Sequence, residues 1–179
     1  MPSVRQTNWC VITGAPCSGK TTVIQELEKL DYPVVHEVAR AHIDEELKKG
    51  KSIGRIKSDV FSFEQQILNK KFEIEKYLPD DALIFLDRAV PDSIGYYILE
   101  GLNPDIPIQK SRQTRYKNIF FFERLTFEKD GVRSEDENIS ARLDYLLKEG
   151  YRMLGYDIID VPLMPVTARI DMILNQLKP

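Results

Sequence analysis

Five short stretches of this chain are almost continuously apolar, and the segments between them carry apolar residues at helical spacing. The runs are Asn8–Thr13, Pro33–His36, Ala82–Leu86, Asn118–Phe122 and Asp157–Val161. Each is rich in β-branched or aromatic residues and shows no polar alternation. That pattern predicts strands covered on both faces, as in a parallel sheet. Between them, Lys20–Leu30 places Val23, Ile24, Leu27 and Leu30 on one helix face. Ala39–Lys49 predicts a second helix, stopped by Gly50. A long helix over Asp59–Leu78 has Phe63, Ile67, Ile74 and Leu78 along its inner face and breaks at Pro79-Asp80-Asp81. Pro91 opens a helix that runs to Glu100, where Gly101 stops it. Glu135–Leu154 and Thr167–Leu177 complete the set, and Leu102–Ile108, with two prolines, reads as a surface loop. Strands alternating with helices imply right-handed crossovers and an α/β fold with helices on both faces.

Composition narrows this picture. A chain of 179 residues, 42% of them hydrophobic, is expected to form one domain over 1–179 with a full core. The net charge of −3 supplies no electrostatic footprint for nucleic acid. The basic run Lys110–Lys117 reads as a solvated helix face. No apolar run reaches membrane-spanning length, and Met1–Asn8 lacks the apolar region of a signal peptide. With two cysteines, the expected compartment is reducing cytosol. Cys10 is expected to be buried in the first strand. His36 and His42 fit no Cys/His metal-ligand spacing.

The chemistry concentrates between the first strand and the first helix. Gly14-Ala15-Pro16-Cys17-Ser18-Gly19-Lys20-Thr21 fits G-x-x-x-x-G-K-[ST], the phosphate-binding loop. Glycines permit the tight turn, and main-chain amides with the helix N-terminus form an anion nest. Gly14 to Thr21, with Thr22, are therefore the expected nucleotide-binding residues. Lys20 would reach the β/γ-phosphates and Thr21 would hold Mg²⁺. Cys17 is either a small residue that fits the loop or a thiol activated by the helix end.

Further residues fall where strands end, the edge at which open α/β sheets bind ligands. The apolar strand Leu83–Leu86 delivers Asp87, a second magnesium-directed acid. Arg88 follows and offers a planar donor fork to a phosphate or substrate oxygen. Glu37 closes the second strand and could accept a proton from a substrate hydroxyl, or simply favour the helix dipole there. Arg40, one turn on, could contact the same substrate. Arg133, after the fourth strand, would sit on a lid around 125–145, with Arg142 a weaker candidate. Phe61, Phe63, Tyr96 and Tyr97 are either core or walls of an acceptor pocket.

Taken in order, Gly14–Thr21, Glu37–Arg40, Asp87–Ser93, Tyr116, Gly131–Arg133 and Leu154–Tyr156 resemble one group, over about Asn8 to Leu177. The chain resembles the AAA-domain, ATPase-like P-loop proteins related to nicotinamide riboside kinase and to nucleoside and nucleotide kinases. That resemblance implies a three-layer α/β/α P-loop NTPase fold with a five-stranded parallel sheet in the order 2-3-1-4-5. It implies ATP as phosphate donor, with GTP as the alternative, and an acceptor pocket near the second and third strand ends. By that resemblance Glu37 and Asp87 fall at acceptor-binding or catalytic carboxylates and Arg88 at a phosphate-contacting arginine. Joined to the residues read above, the expected set is catalytic Lys20, Glu37, Asp87, Arg88 and Arg133, with Thr21 and Asp87 at the metal and Glu37, Arg40 and Arg88 at the substrate. Two readings stay open: a small-molecule kinase with a nucleoside- or nucleotide-like acceptor, or a regulatory NTPase switch. Asp92-Ser93-Ile94-Gly95 fits the D-x-x-G pattern of the second.

Overall fold

Alternate side chains of the central strands feed two opposite cores, and this produces three layers. The computed structural model describes residues 4–124 and 135–178. Along the chain the elements are β1 (Arg5–Gln6), β2 (Cys10–Thr13), α1 (Lys20–Lys29), β3 (Val34–Val35), α2 (Val38–Lys48) and α3 (Ile53–Ile56). There follow α4 (Val60–Tyr77), β4 (Phe85–Asp87), α5 (Asp92–Leu99), α6 (Asp105–Ser111) and β5 (Thr114–Arg115). The chain finishes with β6 (Asn118–Phe122), α7 (Glu135–Met153), β7 (Ile158–Val161) and α8 (Val166–Asn175).

Among the described residues, the main sheet has five parallel strands in the order β3-β4-β2-β6-β7. Counted along the chain, that is 2-3-1-4-5. On one face Cys10 and Ile12 of β2 join Phe85, Phe120, Phe122 and Val161. They pack against Val23, Ile24 and Leu27 of α1 and Ile170 and Ile173 of α8. On the other face Trp9, Val11, Leu86 and Ile119 meet Tyr151 of α7. Burying both faces explains why these strands read as unbroken apolar runs. Trp9 is wholly buried, and its indole N–H donates to Pro79 O at 2.8 Å.

Three local expectations change. The stretch expected to be a loop at Leu102–Ile108 contains the start of α6. The basic run Lys110–Lys117 is not a solvated helix face. It crosses from α6 into β5, which pairs with β1 in a two-stranded sheet. Within it Ser111 and Tyr116 are buried, and Arg115 donates to Leu154 O at 2.8 Å while lying 3.8 Å from the Tyr156 ring. Third, the inner face of α4 turns from apolar to charged. Phe63 and Ile67 are buried as expected, but Ile74 is exposed and Glu64, Lys71 and Glu75 are buried instead.

Candidate active site

The phosphate loop leaves β2 at Gly14, whose φ of 133° suits glycine. A side chain there would place its Cβ 2.6 Å from Phe122 O, so the loop passes against the end of β6. Cys17 and Gly19 also adopt left-handed φ, 63° and 82°, and α1 begins at Lys20. No side chain caps that helix start, so its first amides are free to meet an anion. Lys20 folds back over the loop, donating to Ala15 O at 2.8 Å and Ser18 Oγ at 3.0 Å. Burial, and then Arg88, pull its ammonium down to about 8. Pro16, Cys17, Ser18, Gly19, Lys20 and Thr21 line a cleft of about 790 Å³. Gly14 and Ala15 are buried beneath it, and Thr22 is exposed but is not part of its lining.

Two further elements hold the loop. From α8, Arg169 is 5% exposed and donates to Ser18 O at 2.6 Å, Pro162 O at 3.2 Å and Glu123 O at 3.5 Å, over the Phe122 ring. A Cβ on Gly19 would come within 2.9 Å of that guanidinium. From α7, Asp144 accepts the Ala15 amide at 2.7 Å and pairs through its other oxygen with Arg124 at 2.8 Å. Neither Arg169 nor Asp144 belongs to a contiguous motif, and no pattern in the sequence singles them out.

β4 runs beside β2 in a register that sets Asp87 opposite Ile12. Asp87 is buried, and burial raises its carboxyl to about 6 despite Arg88. Its Oδ1 has no hydrogen-bond partner among the described residues. Arg88 takes a left-handed φ of 67°, which a residue with a side chain adopts only where its surroundings hold it. Its amide donates to Ile12 O at 3.0 Å. The guanidinium lines the cleft, 5% exposed, with Nε 3.5 Å from Glu37 Oε1, NH1 3.7 Å from Asp92 Oδ1 and the group 5.4 Å from the Tyr96 ring. Nε and NH1 make no hydrogen bond among the described residues. Glu37 stands at the start of α2, and Arg40 lies on the same cleft wall.

Asp92 has a structural position. Fully buried, it accepts from Thr13 Oγ1, from the Ala89 amide at 2.9 Å and from Tyr151 Oη. With both oxygens engaged it anchors β2 to α5 and α7. Of the four aromatics, Phe63 and Tyr96 line the cleft. Phe61 is exposed outside it, and Tyr97 packs with Leu68 and Val90. Arg133 and residues 125–134 of the expected lid lie outside the described residues. The remainder, 135–145, belongs to α7, on which Arg142 is exposed.

The cleft continues past Arg88 between α2, α3, α4 and α5. Glu64 and Lys71 of α4 line it there, and neither was expected to be functional. A trace of them exists in the sequence. They fall on the helical spacing of Phe63 and Ile67, but charged residues at such positions ordinarily read as solvated.

Residues 9–169 match the family model described as AAA domain, and the chain belongs to that family. A search of curated protein sequences finds no match. Among solved structures, deoxyadenosine kinase from M. mycoides superposes with a TM-score of 0.62 at 19% identity, over 94% of this chain and 97% of that one. Thymidylate kinase from Ehrlichia chaffeensis gives 0.68 at 13% identity, over 96% and 98%. NadR, solved in complex with NR, gives 0.68 at 17% identity over 96% of this chain and half of that one. The fold is therefore that of P-loop kinases.

Proposed function

We propose that the protein is an ATP-dependent small-molecule kinase, with GTP as the alternative donor, acting on a nucleoside- or nucleotide-like acceptor. The observation that carries this reading is the continuity of the cleft. One end is the phosphate loop, the other a chamber of apolar and charged side chains with walls from α2, α3, α4 and α5, and Glu37 and Arg88 stand between them. A triphosphate and a second small molecule each have a place. The similar folds of solved kinases support the kinase reading.

In this reading Lys20 and the loop amides hold the β- and γ-phosphates. The acceptor hydroxyl oxygen attacks the γ-phosphorus as the bond to the β–γ bridging oxygen breaks. Its proton passes to the Glu37 carboxylate, and the diphosphate leaves. The unbonded Arg88 donors meet charge developing on the transferred group. Thr21, on the cleft wall, and Asp87, with its unpartnered Oδ1, have the oxygen chemistry to hold Mg²⁺. Bound there, the ion would neutralise phosphate charge.

Steady-state assays with MgATP or MgGTP across nucleosides, nucleotides and ribosylnicotinamide test the proposal. The expected result is diphosphate release that one acceptor class accelerates, with matching phosphorylated product. Release that no acceptor accelerates would overturn it in favour of a regulatory NTPase.

A further inference from the structure

Glu64 has no bonding partner although its surroundings call for one. It is 7% exposed, lines the chamber beyond Arg88, and makes no hydrogen bond or ion pair among the described residues. The charged side chains that act on it are Lys71, two turns along α4, Glu100 from the end of α5 and Lys57 from the end of α3. Lys71 itself donates to Ser93 Oγ at 3.4 Å. Its carboxyl oxygens are not sealed from the chamber, and a ligand bound there displaces the water that serves them, so the ligand must donate in turn. Burial holds its pKa above the ordinary carboxylate range, so the carboxyl gives up its proton less readily than an exposed one.

Position and charge narrow what could supply the donor. Glu64 is not among the groups that act on Lys20, Asp87 or Arg88, and it meets that end of the cleft through the shared neighbours Lys71 and Tyr96. It therefore faces the part of an acceptor remote from the hydroxyl being phosphorylated. Around it Phe63, Ile67 and Leu99 supply apolar wall, suited to a flat ring. Two carboxyls, Glu64 and Glu100, disfavour an anionic group there. Two ammonium groups, Lys57 and Lys71, balance them and remove any need for a cation. What remains is a neutral group that donates hydrogen bonds.

Resting on the kinase reading above, we infer that Glu64 determines acceptor specificity. It selects a ring-bearing acceptor whose far edge carries an N–H donor, as an amino-substituted heterocyclic nucleoside does. A site built to bond a substrate N–H discriminates strongly against the analogue that lacks it, because the buried carboxyl is then left unpaired.

The test uses the full chain with MgATP and two pairs of ribosides that differ only by one exocyclic amine. These are adenosine against purine riboside, and cytidine against 2-pyrimidinone riboside. In the wild-type protein the amino-bearing member of at least one pair is expected to have roughly 10-fold or more the kcat/KM of its partner. Glu64→Leu should bring that ratio to within about threefold of unity without changing the KM for ATP, and Glu64→Gln should fall between. Should Glu64→Leu not fold, the near-isosteric Glu64→Gln decides, since its amide oxygen still accepts but without charge. A ratio unchanged in the variants, or preference for the member lacking the amine, overturns the inference and leaves the kinase reading intact. So does wild-type turnover of other acceptors with none of these four. Failure of the wild type to phosphorylate any acceptor, with ATP still stabilising the fold, overturns the kinase reading itself.

Discussion

The two ends of the cleft are built from different materials. At the phosphate end the contacts that shape the site are mostly main-chain. Left-handed φ angles at Cys17 and Gly19 turn the loop, and α1 presents uncapped amides. Arg169 grips three carbonyls from below. At the acceptor end the walls are side chains of α2, α3, α4 and α5, several of them ionisable and buried. A main-chain nest is indifferent to what its phosphates are attached to. A chamber of side chains can be retuned one residue at a time, so in the kinase reading nucleotide binding and acceptor choice are separable.

The junction between the ends offers the largest effect. Glu37→Gln keeps the shape of the side chain and removes its basicity. Transfer to acceptor should fall by about 10²- to 10⁴-fold, while ATP affinity by calorimetry stays within about twofold. Equal loss of both would mean that Glu37 serves the nucleotide end, and the comparison drawn above would fail.

The next effect sharpens the phosphate end. Arg169→Ala abandons carbonyls at Ser18, Pro162 and Glu123 together with its contact to Phe122. It should lower stability by on the order of 3 to 5 kcal/mol in urea titrations and weaken ATP binding, with Arg169→Lys recovering part of both. A variant with lowered stability and unchanged ATP affinity would show that the strut serves folding alone.

The third concerns the floor behind the acceptor chamber. Glu75 accepts from the Val90 amide at 2.9 Å and Tyr116 Oη at 2.7 Å, with Lys71 and Asp92 its other charged neighbours. Burial nevertheless pushes its carboxyl up to about 7, from 4.5 for an exposed glutamate. The folded state therefore retains a proton that the unfolded chain releases. That contribution to stability is full below pH 4.5 and is lost as pH rises to about 7, by at most on the order of 3 kcal/mol. Melting temperatures of Glu75→Gln measured across that window should show a flatter profile than the wild type. Parallel profiles would remove Glu75 as the titrating group.

The two ends also differ in how much of them can be read from the chain. The loop at Gly14–Thr21 is contiguous, and its glycines stand where the backbone needs them, at φ 133° and 82°. The central strands are legible for a related reason: residues covered on both faces have no solvent side to encode. Strand ends are less so. Only Phe85–Asp87 of the apolar run Ala82–Leu86 and its following acid pairs as β4, because pairing depends on what β2 and β3 offer alongside. Short α3 and α6 carry too few residues for periodicity to show. Asp92 fits a D-x-x-G spacing in the chain, and only the assembled fold brings Thr13 and Tyr151 to its carboxylate.

Local residue order alone settled the layered α/β architecture, the phosphate loop and the carboxylates at the strand ends, because each depends on backbone conformation or on burial along a few consecutive positions. Tertiary packing decided which charges are buried. It brought Arg169 under Ser18 from 151 residues away, enclosed Glu64, Lys71 and Glu75 along α4, and left Arg88 with unbonded donors facing Glu37. A charged residue at helical spacing looks the same in sequence whether water or another helix covers it, and only the assembled layers tell the two apart.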